Sequence, residues 1–215
     1  MQSRVLQPEI LDTLSPEDPA AIHNRRDLRL TNLIMGNFRW LARALARRLR
    51  PGERVLEIGA GDGELGVRLA RCGLAVDGLD LWPRPQDWPP ERAWYVADLR
   101  SFPGYDDYSA VFGNLIFHQF NDLELLALGE NLRRRSRLIV ACEPARRRSS
   151  QRLFAVIAPL LGANRVTLHD ARASIAAGFL GDELPRALGL DAKEWLCDCH
   201  VTSLGAYRMI AVRRP

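Results

Sequence analysis

From Asp27 to Leu49 the apolar positions Leu28, Met35, Phe38, Leu41, Leu45 and Leu49 recur at spacings of three, four and seven, the repeat of an amphipathic helix. Upstream, the SPEDP stretch reads as the start of a shorter helix, with Ser15 as N-cap and Pro16 in its first turn. Pro51 and Gly52 stop the helical repeat. Aliphatic and β-branched runs then follow at 54–58, 75–80, 93–97, 109–115 and 137–142, with helical stretches at 63–72 and 122–134 between some of them. Such alternation predicts an α/β fold, a mostly parallel sheet with helices on both faces. Right-handed crossovers place the C-terminal ends of the strands along one edge, where open sheets of this kind bind ligands. Four prolines between Leu81 and Pro90 make that stretch a loop or at most one helical turn. Residues 145–190 interrupt the alternation with helical, polar-rich sequence, and strand-like runs at 194–199 and 206–212 close the sheet.

The length of 215 residues suits one domain, and 47% hydrophobic with 26% charged residues is ordinary globular composition. No apolar run approaches the roughly 20 residues of a spanning helix, and the acid- and proline-containing N-terminus lacks the pattern of a secretory signal, so a cytoplasmic protein is expected. The net charge of +4 is almost wholly arginine, since Lys193 is the only lysine. Arg43, Arg47 and Arg50 share a helical face, and denser clusters fall at 133–137 and 146–152; solvated faces account for such runs more often than nucleic acid does. Of the four cysteines, Cys197 and Cys199 alternate onto one side of a strand with His200 on the other, and no second half-site accompanies them, so no metal is expected.

The chemistry concentrates in VLEIGAGDGELG, residues 55–66. Gly59, Gly61 and Gly63 leave the backbone bare where a strand turns into a helix, so it can approach a ligand closely. A dinucleotide fingerprint serves a pyrophosphate in this way, but here the third glycine comes one residue early, and Glu57 and Asp62 flank the place where phosphates would lie. The acids favour a cationic ligand. Asp80 ends the second strand where a carboxylate can accept from both ribose hydroxyls. Asp98 and Leu99, after the third strand, suit an exocyclic amine and a purine face. A nucleoside with a positive charge and no phosphate matches S-adenosylmethionine.

Four motifs carry a resemblance: VLEIGAGDG at 55–63, GLDL at 78–81, ADL at 97–99 and FGNLIFHQF at 112–120. In this order and spacing the chain resembles class I S-adenosylmethionine-dependent methyltransferases over about residues 53–142. RRDLRLTNLIMGN at 25–37 and EPARRR at 143–148 are similar to a small bacterial branch linked to polyketide or quinone tailoring. The resemblance implies a Rossmann-like seven-stranded, mostly parallel sheet in a single domain. Within it, 1–50 would form an N-terminal helical cover, 51–144 the cofactor-binding core, 145–192 a helical lid insertion and 193–215 the closing strands. It also implies that Glu57, Gly59, Ala60 and Gly61 surround the methionine moiety, that Asp80 and Leu81 hold the ribose side, that Asp98 and Leu99 hold adenine, and that Asn114 flanks the amino group and sulfonium.

Methyl transfer from a sulfonium needs alignment and exclusion of water, with acid–base help only where the acceptor must lose a proton. His118 is the candidate base, weighed evenly against an orienting role, and His169 is a second candidate that would otherwise cap a helix starting at that point. Glu143 faces the same edge, Arg146 to Arg148 could attract an acidic or phenolate substrate, and Arg29, Asn32 and Asn37 could cover the cofactor. The expected partner is a small-molecule acceptor, methylated on an oxygen or carbon of an aromatic, polyketide or quinol-like compound. RNA or protein methylation, a non-catalytic S-adenosylmethionine-binding partner protein and a nicotinamide oxidoreductase are the alternatives. The NPPY or DPPY motif of base amino-group methylation is absent, since the fourth strand reads GNLIF.

Overall fold

A computed structural model describes residues 3–15 and 17–215. Its seven strands are β1 (Arg54–Ile58), β2 (Ala75–Asp80), β3 (Trp94–Val96), β4 (Ala110–Asn114), β5 (Leu138–Pro144), β6 (Trp195–Val201) and β7 (Ala206–Arg213). They form one sheet in the order β3-β2-β1-β4-β5-β7-β6. The pairs from β3 through to β5 are parallel, and β7 pairs antiparallel with both β5 and β6. Ile58, Asp80, Val96, Asn114 and Pro144 therefore end their strands along a single edge.

The helices are α1 (Pro19–Ile34), α2 (Asn37–Ala46), α3 (Glu64–Arg71), α4 (Asp122–Arg135), α5 (Arg148–Leu160), α6 (Arg165–Ala177) and α7 (Glu183–Ala187). Side-chain alternation along the strands feeds two cores. Leu56, Ile58, Val111 and Ile139 pack on one face with α4 and the chain around α7; Val55, Val76, Phe112 and Val140 pack on the other with α2 and α3.

The N-terminal helices differ from the sequence expectation. One long helix from 27 to 49 is replaced by α1 and α2, separated at Met35 and Gly36, where Gly36 adopts φ +66°. The apolar repeat runs through the break because Met35 and Phe38 keep the same phase on either side of it. The start also moves: Asp18, not Ser15, caps α1 by accepting from the Ala20 amide, with Pro19 as its first residue. The Ser15 hydroxyl bonds Glu17 instead. Pro16 lies outside the described residues.

The two helices bury different chemistry. Beside Leu41, Ala44 and Leu45, α2 buries only one polar residue, Asn37, whereas the buried residues of α1 are Ala21, Asn24, Asp27 and Asn32. A helix whose inner face is mostly polar cannot be held by burial of apolar area and must face partners that bond those groups.

Several arginines of the clusters at 133–137 and 146–152 form structural pairs. Arg137 bonds Glu53, Arg133 bonds the Gly189 carbonyl, and Arg146 is buried against Glu183. On β6, Cys197, Cys199 and His200 follow strand alternation, and among the described residues no group of three metal-ligating side chains is close enough to hold an ion.

Where α4 meets the end of α7, a Cβ added to Gly129 would lie 2.0 Å from the Leu188 carbonyl oxygen. Backbone cannot yield as a flexible side chain does, so Gly129→Ala should destabilise the fold by about 2 kcal/mol. In thermal unfolding that corresponds to a Tm lower by about 5 °C. An unchanged Tm would show that α4 and α7 are not in this close contact.

Candidate functional site

The turn after β1 is tied directly to the end of β2. The Gly59 and Ala60 amides both donate to the Leu79 carbonyl, at 2.9 and 3.2 Å. The Gly61 amide donates to one Asp80 carboxylate oxygen at 2.7 Å, and the Trp82 amide donates to the other at 3.0 Å. Asp80 thus fixes the loop while keeping further lone pairs for a ligand. Burial, only partly offset by those amides, raises its pKa.

The glycines do different things. Gly61 takes φ +58° with open space where a Cβ would stand, and so presents bare backbone to whatever occupies the edge. Gly59 instead admits Ile116, whose side chain would be 2.5 Å from a Cβ there. Gly66, inside α3, makes room for Trp88.

Glu57 is buried on β1, and its Oε2 atom has no hydrogen-bond partner. Its pKa lies well above the usual carboxylate range, because burial strips it of water and Asp62 and Asp80 add like charge. Arg29 of α1 reaches Asp62 at 3.1 Å and Glu64 at 3.7 Å over the outer side of this loop.

At the end of β4, the amides of Asn114 and Asn37 both donate to the Asn32 side-chain oxygen, at 3.3 and 2.9 Å. The Oδ1 atoms of Asn37 and Asn114 are buried without partners. Whichever way each amide is turned, one polar atom of each awaits a ligand. The next residue, Leu115, holds φ +60°, in the left-handed region. Backbone of that kind in a non-glycine residue costs about 1 kcal/mol and persists where its surroundings over-determine it.

Glu143, at the end of β5, supplies that determination. One of its oxygens accepts from the Ile116 and Phe117 amides, both at 2.9 Å, and the other from the His118 amide at 3.3 Å and His118 Nδ1 at 2.6 Å. His118 Nε2 faces Glu9 at 3.4 Å. Burial acts to lower the imidazole pKa, but the Glu143 and Glu9 carboxylates outweigh it and push the pKa up to about 9. Raised in this way, the ring favours its protonated form, in which both nitrogens donate and neither carries a lone pair.

The remaining sequence candidates are spread more widely. Asp98 forms a forked ion pair with Arg100, at 2.6 Å at its shortest, which holds its carboxyl below the usual range. Leu99 is buried in the core, where its carbonyl accepts from the Tyr105 hydroxyl. Leu81 is exposed beside Asp80. His169 does not start its helix: Asn164 caps α6, and His169 sits in the second turn, about half exposed and 3.0 Å from Asp170, outside the lining of the neighbouring cavity. Arg146 is committed to Glu183 and, like Arg147 and Arg148, lines no part of that cavity.

Three features escaped the sequence reading. Glu9 reaches His118 from 109 residues away, along an N-terminal segment held by the Val5 amide on the Ala176 carbonyl and by the Ile10 and Leu11 amides on Asp170. Nothing local in the sequence marks it. Trp82 lies two residues after Asp80 with the Arg25 guanidinium 5.3 Å from its ring, and the tryptophan in GLDLW was the available signal. The third is a cavity of about 240 Å³ between α1, α5, α6 and the turn after β4. Apolar side chains such as Leu30, Met35, Phe154, Ala158 and Ile175 line much of it, and Asn37 and Leu115 join it to the cofactor edge.

No protein-family model matches the chain, and no curated protein matches it. Solved structures do. The plantazolicin methyltransferase BpumL in complex with SAH (S-adenosylhomocysteine) superposes with a TM-score of 0.68 at 12% identity, over 93% of this chain and 92% of that one. A TehB-like SAM-dependent methyltransferase from Corynebacterium glutamicum gives 0.58 at 16% identity, over 90% and 99%. A structure described by the conversion of a disulfide bond into a thioacetal group during echinomycin biosynthesis gives 0.57 at 22% identity, over 81% of each chain. The chain has the α/β methyltransferase fold, with the seven-stranded, mostly parallel sheet that the resemblance implied.

The charged His118 sets a pH dependence of stability. Its folded pKa of about 9 lies above the ordinary imidazole value of 6.5, so its contribution is full below about pH 6.5 and is lost as pH rises through 9. The wild-type chain should lose on the order of 3 kcal/mol across that window relative to His118→Gln, in denaturant titrations at pH 6 and pH 9.5. Parallel pH profiles for the two proteins would show that the ring is not charged in the folded state.

Proposed function

We propose that this chain is an S-adenosylmethionine-dependent methyltransferase acting on a small, largely apolar acceptor. The observation that carries the reading is the unpartnered Oε2 of buried Glu57, set among Asp62 and Asp80, together with the unpartnered Oδ1 atoms of Asn37 and Asn114. Buried acceptor atoms without donors call for a donor-bearing ligand, and a surplus of carboxyl groups calls for a cation. The ammonium and sulfonium of the cofactor are both cationic, and its ammonium is a donor.

In this reading Glu57, Asn37 and Asn114 receive the amino-acid end, with the Gly59–Gly61 backbone beside it. Asp80, already held by two amides, offers its remaining lone pairs to the ribose hydroxyls. Leu81 and Trp82 flank the adenine, and Asp98 reaches its exocyclic amine after releasing one arm of the Arg100 fork. When bound, the sulfonium supplies an activated methyl group. The protein's own part is alignment and exclusion of water. The apolar walls along α1, α5 and α6 exclude water, and the rigid turn at Leu115 sets where the acceptor meets the edge. His118 acts here as a positioning residue that links Glu143 to Glu9, and His169 takes no part in the chemistry.

The neighbours named for plantazolicin and echinomycin support a natural-product acceptor, and a largely apolar cavity of about 240 Å³ supports a compact one over RNA or protein. An oxygen or carbon of an aromatic, polyketide or quinol-like molecule fits those walls. Calorimetric titration with S-adenosylhomocysteine tests the cofactor assignment. Asp80→Asn preserves the side-chain shape and should lower affinity by about tenfold or more, since a hydrogen bond to a charged group contributes about 1.5–3 kcal/mol. Unchanged affinity would remove Asp80 from the ribose, and binding of NAD or ATP in place of S-adenosylhomocysteine would overturn the cofactor itself.

A further inference from the structure

The polar wall of the cavity is one-sided. Glu9, Asp27, Glu143 and Asp170 line it together with His118, and among the described residues no arginine or lysine does. Asp27 accepts from the Thr167 hydroxyl at 2.7 Å and Asp170 from the Ile10 and Leu11 amides at 2.7 and 3.0 Å, and the histidines that meet them from outside the cavity lining, His23 at 3.5 Å and His169 at 3.0 Å, are the only ionisable partners of the two carboxylates among the described residues. Amongst them stands Asn24, 1% exposed, whose Nδ2 reaches Asp170 at 3.5 Å and whose Oδ1 has no partner. A buried carbonyl oxygen facing a cavity, with carboxylates beside it, is a receptor for N–H groups and repels anions.

We propose that the cavity selects an acceptor with a cationic, N–H-donating head, such as an ammonium or amidinium group, bound at Asn24 between Asp27 and Asp170. This rests on the methyltransferase reading and specifies its substrate class. The head is an anchor. Asn24 and Asn32 are eight residues apart on α1, and at 1.5 Å per residue the anchor lies about 12 Å along the helix from the Asn32–Asn37–Asn114 cluster beside the cofactor edge. A protonated amine has no lone pair to attack a methyl group, so the atom methylated belongs to the other end of the molecule. Between the two ends, Leu30, Ile34 and Phe154 supply an apolar channel for the body.

The test uses three shape-matched probes, 4-phenylbutylamine, 4-phenylbutanol and 4-phenylbutyrate, titrated calorimetrically into the full chain with and without S-adenosylhomocysteine. The amine should bind at least about tenfold more tightly than either of the others. Asn24→Leu, nearly isosteric, should abolish that preference while leaving the affinity for S-adenosylhomocysteine unchanged, with folding checked by circular dichroism. Equal or tighter binding of the butyrate or the alcohol, binding of none of the three, or an amine preference that survives Asn24→Leu overturns the proposal. Failure of S-adenosylhomocysteine to bind would instead defeat the cofactor reading, and the probe series without it still decides the anchor.

Discussion

The Glu143 carboxylate organises the functional edge of this molecule. Three consecutive backbone amides and one imidazole converge on its two oxygens, each a hydrogen bond strengthened by the carboxylate's charge. Those bonds stabilise the turn after β4 in a form that places Leu115 in the left-handed region and swings Ile116 under Gly59. The same carboxylate holds the His118 ring, and through the ring it meets Glu9 and the N-terminal segment. One side chain at the end of β5 therefore joins the cofactor loop, the cavity floor and the N-terminal cover. Substituting only Glu143 would leave three amides and a charged imidazole without their acceptor, so its loss would be felt at every part of the site.

The cofactor loop shows the opposite electrostatic condition. Around Glu143 donors exceed acceptors, whereas around Glu57 acceptors exceed donors. Glu57, Asp62 and Asp80 approach one another with Arg29 reaching only the outer two acids, Asp62 and Glu64. Like charges so placed raise the free energy of the empty loop, and a bound cation removes that cost. On the proposed reading, the arrangement would stabilise a liganded state with a positive nucleoside more than the free one, without any phosphate-binding device.

Legibility from sequence followed the range of the interactions. Strands and the helices 63–72 and 122–134 were readable because the periodicity of burial is local, and the Asn121 and Glu124 capping box that starts α4 is written in four consecutive residues. The glycine turn and Asp80 were readable for the same reason. Yet the individual glycines were not: Gly59 and Gly66 answer to Ile116 and Trp88, contacts that only the folded chain reveals. The helix break at Gly36 was masked by a stripe that stays in phase across it. Glu9 was invisible because it meets His118 across 109 residues of chain, and the cavity's full lining because α1, the turn after β4, α5 and α6 meet only in the folded chain. His118 could be named as a candidate from its place after β4, but its charge state follows from Glu143 and Glu9, and that reverses the chemistry a free histidine would suggest.

The break between α1 and α2 separates two physical tasks that one continuous helix could not perform. Past Gly36, α2 lies on the sheet and buries Leu41, Ala44 and Leu45, which holds it by ordinary hydrophobic contact. Before Gly36, α1 leaves that core and spans the cavity with Asn24, Asp27 and Asn32 turned inward, and its hold on the rest of the protein is polar: Asp27 with Thr167, Asn24 with Asp170, and Asn32 with Asn37 and Asn114. Polar contacts of that kind exchange readily for water, while buried leucines do not. Of the two helices, α1 is therefore the one whose hold on the rest of the protein rests on bonds that water or a ligand can replace, and Gly36 marks where that polar attachment gives way to the apolar one.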